Sequence, residues 1–437
     1  MWALLIRWFG ENNNLNMNFG GSALKEAESG RFRIDNISIV LDFTALFLYG
    51  LLLFICETKG PFSLPVWMER IDGVILHRLI IALALVKAFF YWDESPFKAV
   101  VALILSALVV FYRTDVGFIK ESLRILELIA LMLGVNFKNV VRVYVAVTST
   151  VLAAIFFSVQ TGLLTNVKMP DNYTSREVSL LGFGNRNTFM AHWFILMICL
   201  IYLLGDNIIA NCVLITITAI IWYLTLSKTV FALGVLFCLA LIANNLLKRY
   251  NSNRILEEIQ QRFCIILACM PVICTVATSL GLLVFGIFKY NIGHLSIIDR
   301  FGQIYRALVR LGLPFPYNGE ALVGVDGVTV AGIEEYDSLS DLKYNIFIGL
   351  HGSTYPGPEV MDNIYGKLFV EYGVLVLVSV IAILTVIMFK TYRMKQYSLL
   401  VALAMMCVFS IMEATAVTEM ICAVMWLVIL ADSKNTR

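Results

Sequence analysis

The chain has 437 residues, of which 59% are hydrophobic and 15% are charged, with a formal net charge of +2 at pH 7. Its mean hydropathy is +0.82. Soluble globular proteins have about half of their residues apolar and about a quarter charged, so this composition excludes that class. The nearly balanced charge also argues against a nucleic-acid-binding protein. We therefore expect an all-α polytopic membrane protein.

The first segment, residues 1–36, has only a short apolar run interrupted by Arg7, which predicts a cytoplasmic or interfacial lead-in. After it, apolar runs recur at the length that crosses a bilayer as a helix, and they predict about twelve spans. The predicted spans are 37–56, 74–93, 98–113, 121–136, 140–163, 188–205, 208–225, 229–246, 264–288, 366–389, 398–412 and 416–431. This divides the chain into nine spans within 37–288, a large loop at 289–365, and three spans with a tail at 366–437.

Basic residues gather in alternate breaks between the predicted spans, and such breaks face the cytoplasm. One set of breaks contains Lys138 and Arg142, the basic cluster within 248–262, and the basic cluster within 390–395. This set should be cytoplasmic, which places both termini inside. The opposite breaks, including the large loop, are then extracytoplasmic.

The first polar segment on that outer side is "SREVSLLGFGNRNTFMAHWF", residues 175–194. Arg176 lies in the loop, Gly182 permits tight backbone geometry, and Arg186 and Asn187 lie at the membrane boundary. Arginines near helix ends often extend to the interface, so an interfacial anchor is the alternative interpretation.

The second segment is "SIIDRFGQIYRALVRLGL", residues 296–313, within the large loop. Its spacing predicts an amphipathic helix that lies on the membrane or caps a cavity. The apolar face carries Ile297, Phe301, Ile304, Tyr305 and Leu308, and the polar face carries Asp299, Gln303, Arg306 and Arg310. Arg300 lies at the border of the two faces. A solvated charge stripe is the alternative.

The third segment, residues 349–378, leads out of the large loop. Asp362 and Asn363 stand at a helix start, where either residue type is a favoured cap, so a structural role as cap is the alternative interpretation of Asp362. Glu371, followed by Gly373, falls within the predicted span 366–389. A carboxylate inside a membrane helix is unfavourable and is usually functional.

The remaining polar residues give weaker indications. Lys228 lies in the turn "LSKT" between two predicted spans and is either a phosphate contact or an interfacial anchor. The four histidines (His77, His192, His294 and His351) show no metal-ligand spacing, and His77 and His192 are expected to pack inside the bundle. The nine cysteines lie in apolar runs or at their ends, as small hydrophobes do. We expect no metal and no cofactor.

Four local patterns together resemble the O-antigen polymerase and O-antigen ligase superfamily of bacterial envelope and capsule synthesis. They are an arginine followed by "GFGNRN", then "SKT", then "DR…IYRAL" early in the large loop, then "DN.Y…FVEYG" leading out of it. The arrangement of spans around a large extracytoplasmic loop is similar too. The resemblance implies a GT-C-like membrane fold in the bacterial cytoplasmic membrane.

The resemblance also implies a glycosyltransferase that uses an undecaprenyl-pyrophosphate-linked glycan as donor and needs no metal. Arginine forks suit the charge that develops on a pyrophosphate leaving group. The family's arginines correspond to Arg176 and Arg300, with Asp362 in the position of the catalytic base. The candidate substrate-binding residues are Arg186, Asn187, Lys228, Arg306, Asn363 and Glu371. Candidate partners are the lipid-linked glycan, membrane lipid and a chain-length regulator.

Asp362 marks a departure from the family, because many members, the ligases especially, carry a histidine there. An aspartate can accept the hydroxyl proton, and Glu371 or His351 are substitutes. This departure favours a polysaccharide polymerase over an O-antigen ligase. A lipid-linked oligosaccharide flippase remains the alternative from another class, although the candidate arginines gather at one boundary instead of in a central cavity. A sugar transferase with a lipid monophosphate donor is less favoured, because residues 57–73 lack a tight acidic pair.

Overall fold

The computed structural model describes residues 27–59, 61–62, 75–90, 128, 130–132, 135–170, 177–183, 186–205, 207–250, 254–288, 296–311, 345–350 and 363–411. Most of these residues are helical. In chain order the helices are α1 (Ala27–Lys59), α2 (His77–Phe90), α3 (Phe137–Gln160), α4 (Arg186–Leu204), α5 (Ile208–Thr225), α6 (Lys228–Tyr250), α7 (Arg254–Ala268), α8 (Met270–Phe288), α9 (Ser296–Arg310), α10 (Ile364–Arg393) and α11 (Tyr397–Phe409). Two short strands, β1 (Lys168–Pro170) and β2 (Glu177–Ser179), form an antiparallel pair.

Within the described ranges, four helices are long and apolar enough to cross a membrane, namely α3, α5, the Lys228–Leu246 part of α6, and α10. The successive helices Glu258–Ala268 and Met270–Val284 meet the same criterion together, with a bend of 59° between them. Shorter apolar helices occur at Ile39–Ile55, Thr188–Leu204 and Tyr397–Phe409. The chain is therefore an all-α membrane protein, as its composition predicts.

These helices do not amount to the twelve predicted spans. The predicted spans 98–113 and 416–431 lie outside the described residues, as does most of 121–136. The bounds of helices α3 to α6 lie within four residues of the predicted spans 140–163, 188–205, 208–225 and 229–246. The number of spans beyond the described helices therefore stays a prediction.

Helix α1 begins at Ala27, before the predicted span, and its apolar part Ile39–Ile55 agrees with the predicted span 37–56. One predicted boundary is wrong. The polar stretch expected as a break before span 264–288 forms α7. Its polar residues fall at helical spacing on one face, so it is amphipathic, and the helix axis bends before α8.

The tightly packed centre of the bundle is built around α4 and α11. Met190, Phe194 and Met197 on α4 are fully buried, and the ring of Phe194 lies 4.2 Å from that of Phe409 on α11. His192 stacks on Phe183 with ring centroids 5.5 Å apart, so it packs within the bundle as expected. Because α4 is apolar on all sides, it is suited to such a central position.

Buried polar side chains join neighbouring helices. The amides of Asn211 on α5 and Asn245 on α6 both donate to the carbonyl of Gly205, at 2.9 and 3.0 Å. The indole of Trp193 donates to the hydroxyl of Thr218 at 3.1 Å. Since a polar group in hydrocarbon must find a partner within the protein, these bonds fix the positions of α4, α5 and α6.

An ion pair lies within the apolar part of the bundle. The ammonium of Lys87 on α2 lies 2.8 Å from a carboxylate oxygen of Asp42 on α1, and it also donates to the carbonyl of Leu131 at 3.0 Å. The Lys87 side chain is only 1% exposed and that of Asp42 28%. A charge is rarely stable at this depth without a partner, so the pair holds α1 and α2 together.

Candidate active site

The amphipathic helix predicted in the large loop is α9, and it packs on α8 and on the start of α10. Its residues Ile304, Tyr305 and Leu308 are buried, as the helical spacing predicts. Two glycines lie where α9 contacts the neighbouring helices. A Cβ at Gly281 of α8 would lie 2.6 Å from the ring of Phe301, and one at Gly366 of α10 would clash with Ile304. These glycines allow α9 to approach the bundle closely.

The arginines of α9 lie at the edge of this contact. Arg300 and Arg306 are both half-buried, which agrees for Arg300 with its predicted position at the border of the two faces. The side chains of Asp299 and Arg310 lie outside the described set. Burial raises the pKa of the Tyr305 phenol above its ordinary value, so this side chain stays neutral in the contact.

Helix α10 is not the continuous span that the sequence predicts, because Gly373 breaks it with a φ of 77° and a ψ of −179°. On one side of the break the hydroxyl of Tyr365 donates to the carbonyl of Cys407, and on the other Met388 Sδ lies 4.0 Å from Cys407 Sγ. A straight helix would separate residues 365 and 388 by about 35 Å. Both therefore reach Cys407 only because the chain turns back at Gly373.

The segment 364–372 is consequently a short re-entrant helix, and 374–393 alone has the length of a span. Glu371 lies two residues before the break, with 1% of its surface exposed. It stands at the apex of the re-entrant turn and not one or two turns inside a membrane-crossing helix, which corrects the sequence-based placement. The apolar run on both sides of Gly373 hides this break in the sequence.

A turn at residues 345–350 closes the break. The N–H of Leu350 donates to the carbonyl groups of Val370 and Glu371, at 3.2 and 3.1 Å. The N–H groups of Val374 and Leu375 donate to carbonyls of the turn, at 2.9 and 3.2 Å. The turn thus satisfies backbone groups that a broken helix leaves open, which is necessary where water is excluded.

Two glycines make this contact between backbones possible. Gly349 has a φ of +60°, and a Cβ there would lie 2.5 Å from the backbone nitrogen of Gly373. A Cβ at Gly373 would clash with the carbonyl group of Phe347. We call residues 345–350 and Gly373 together the backbone joint. Nothing in the sequence indicates residues 345–348, although Gly373, two residues after a carboxylate in a predicted span, was a usable signal.

The backbone joint and α9 belong to one apolar cluster. Ile304 and Leu308 of α9 pack with Leu350 of the turn and with Val370, the residue before Glu371. The structure therefore brings the helix of Arg300 and Arg306 together with the apex that carries Glu371. Two of the three predicted segments meet here.

Asn363 is the N-cap of α10 and is fully buried. Its side-chain oxygen accepts the N–H of Gly366 at 3.0 Å, and its amide donates to Thr278 of α8 at 3.3 Å. A cap was expected at this helix start with Asp362 as the candidate, and the cap is the following residue, Asn363. With its amide engaged in this way, Asn363 positions the re-entrant segment, and the geometry does not support direct contact with a substrate. Asp362 and His351 lie outside the described residues.

The first predicted segment, residues 175–194, contains strand β2 and continues into α4. In the sequence Arg176 comes directly before β2, and it lies outside the described residues. The side chains of Arg186 and Asn187 in the first turn of α4 are likewise not described. Gly182 has a φ of +80°, as its predicted tight geometry requires, and packs against α3. The predicted meeting of Arg176 with Arg300 around one phosphate therefore stays a prediction.

Lys228 is the first residue of α6, and its side chain is exposed on the surface of the helix bundle. The turn before it is fixed by Leu226 in the left-handed conformation and by stacking of Trp222 on Phe231, whose ring centroids are 4.6 Å apart. Among the described residues, no three His, Cys, Asp or Glu side chains are grouped so that they would hold a metal ion. The requirement for metal stays untested.

Comparisons with protein-family models, with curated proteins and with solved structures found no match for this chain.

Proposed function

We propose that this protein is a bacterial polysaccharide polymerase of the inner (cytoplasmic) membrane, with about twelve spans in a GT-C-like arrangement. It joins undecaprenyl-pyrophosphate-linked repeat units on the outer face, in O-antigen, capsule or exopolysaccharide synthesis, and both of its termini are cytoplasmic. The proposal combines the family resemblance of the sequence with one structural observation.

That observation is the position of α9. Its apolar face is buried against α8 and the re-entrant start of α10, so the helix that carries Arg300 and Arg306 is held against the segment that carries Glu371. The alternation of basic residues predicts that this place faces outward. A rigid basic edge there suits a lipid diphosphate at the outer membrane surface.

In the proposed reaction, a hydroxyl oxygen of the acceptor sugar attacks the anomeric carbon of the donor glycan. The bond between that carbon and the pyrophosphate oxygen breaks, and undecaprenyl pyrophosphate leaves with the bonding electron pair. Arg176 and Arg300 stabilise the negative charge that develops on the leaving group. Asp362 accepts the hydroxyl proton, and the remaining candidates, Arg186, Asn187, Lys228, Arg306 and Glu371, bind the substrate or position it.

The test uses the full-length protein in proteoliposomes with a synthetic lipid-pyrophosphate repeat unit, and products are resolved by length. A ladder of products identifies a polymerase. A single addition to a distinct acceptor identifies a ligase, and transport without a new bond identifies a flippase. Either of the latter results overturns the proposal.

The variants Arg176→Ala and Arg300→Ala should each abolish elongation without lowering the amount of protein in the membrane. Arg300→Lys should also be damaging, since lysine offers a point charge instead of a planar fork. Arg78→Ala is a matched control, because Arg78 is an exposed arginine at the start of α2 on the same predicted side. Unchanged product length in both alanine variants of Arg176 and Arg300 would refute the mechanism.

A further inference from the structure

A long apolar groove runs between α1, α3 and α4, on the opposite predicted side of the membrane from α9. It has a volume of about 590 Å³, which lies within the usual range of small-ligand sites. It is lined by Phe43 and Phe47 of α1, by Val143 and Val147 of α3 and by Leu203 of α4. Gly50 allows α1 to approach α3 closely, since a Cβ there would lie 3.3 Å from Val143.

One end of this groove is basic. Lys138 and Arg142, in the first two turns of α3, both line it. No acidic residue stands in the first turn of α3, and its N-cap is the neutral Asn136. Cations at a helix N-terminus oppose the helix dipole, so these two residues do not stabilise the helix. Arg142 also donates to Asn139 at 3.1 Å, which holds its guanidinium near the groove end.

We infer that the groove binds an anionic phospholipid from the leaflet on the Lys138 side. One acyl chain lies in the groove, and the phosphate contacts Lys138 and Arg142. The length fits, because the nine residues from Lys138 to Val147 advance α3 by about 13 Å. That is close to half of the hydrocarbon core, about 15 Å for one leaflet.

The charge decides the class of lipid. The groove walls are apolar and suit any acyl chain, but the two cations at its end favour a headgroup with a net negative charge. The basic break that contains Lys138 is predicted to face the cytoplasm, where such lipids meet positively charged protein segments. The site is independent of the proposed glycosyltransferase activity.

The test is native mass spectrometry of the full-length protein in detergent, titrated with dioleoyl phosphatidylglycerol or with dioleoyl phosphatidylcholine. We expect phosphatidylglycerol to be retained in preference to phosphatidylcholine. Replacing both cations (Lys138→Gln with Arg142→Gln) should weaken phosphatidylglycerol binding about thirtyfold. Ala146→Phe, which fills the groove without changing charge, should abolish retention of the lipid.

Lys390→Gln with Arg393→Gln is the matched control, since it removes the same charge from the predicted cytoplasmic end of α10, away from the groove. This variant should retain phosphatidylglycerol like the unaltered protein. Equal loss in both charge variants would show general interfacial attraction and overturn the inference. Equal retention of the two lipids would also overturn it, as would undiminished retention by Ala146→Phe. Ala146→Phe tests whether the lipid lies in the groove even if the double variant at Lys138 and Arg142 does not fold.

Discussion

The ion pair between α1 and α2 and the backbone joint at α10 place polar groups in the apolar part of the bundle in different ways. Lys87 and Asp42 are two side chains whose opposite charges compensate each other. At the backbone joint the polar groups are the N–H and C=O groups freed by the break, and a distant turn satisfies them. The first arrangement should tolerate replacement by well-packed apolar residues, whereas the second requires glycine. We therefore expect the helix break to be the less replaceable of the two.

The strongest way to test the comparison is Gly373→Ala. The backbone there lies in a region that only glycine adopts readily, and the new methyl group would clash with the carbonyl group of Phe347. We expect a loss of about 4 kcal/mol or more in the free energy of unfolding. The measurement is the fraction of monodisperse protein after heating in detergent.

Gly162→Ala is the control for this variant. Gly162 has a similar φ of +75°, but nothing lies within 4 Å of a Cβ there. It should therefore lose only about 1 kcal/mol, from backbone strain alone. Equal effects of the two substitutions would show that the close contact between backbones does not matter.

The next largest effect is expected for Lys87→Met. It leaves the Asp42 carboxylate without its partner, and we expect a loss of about 3 kcal/mol, at the lower end for a buried pair because Asp42 is partly exposed. The double variant with Asp42→Leu should recover most of the stability, as measured by the same heating assay. If the double variant is no better than the single one, side-chain packing rather than charge compensation holds α1 to α2.

A smaller effect is expected for Asn363→Ala, which removes the cap of the re-entrant segment together with the bond to Thr278. The expected loss of stability is about 2 kcal/mol. Asn207→Ala is the matched control, because Asn207 is an exposed cap that accepts only from its own helix. It should lose about 1 kcal/mol. A larger loss from the control than from Asn363 would contradict the assigned role.

The smallest effect concerns the pH dependence of the contact between α9 and α10. Burial raises the pKa of Tyr305, so the stability that its neutral form contributes is present below the ordinary phenol pKa of about 10 and is lost as the pH rises above it. The Tyr305→Phe variant has no phenol to ionise, so it should lose less stability than the unaltered protein at alkaline pH. Thermal midpoints of both proteins, measured between neutral and alkaline pH, test it, and parallel pH profiles would contradict it.

The sequence predicts the helices of this protein well where apolar residues recur over a whole span. It also predicts α9 and the burial of Ile304, Tyr305 and Leu308, because helical spacing alone determines which residues share a face. These features depend on residues that are near one another in the chain. They can be predicted without knowing which element packs against the helix.

The sequence does not predict features that depend on distant partners. Lys87 and Asp42 lie in separate predicted spans, and nothing in either run shows that the two side chains meet. The break at Gly373 lies in an apolar run that reads as one span, and the turn that stabilises it comes from residues 345–350. Charges inside predicted spans were the available signal for the first feature, and a glycine after Glu371 was the signal for the second.

The packing of Leu311, at the end of α9, and of Leu350 into one apolar cluster has a consequence for the chain between them. The described residues on either side of 312–344 pack in the same small region of the bundle, so the distance that this stretch has to bridge is short and fixed. The entropy of closing a loop grows slowly with its length. An epitope inserted in this stretch should leave the helices undisturbed and report, by antibody access to intact cells, which compartment the large loop faces.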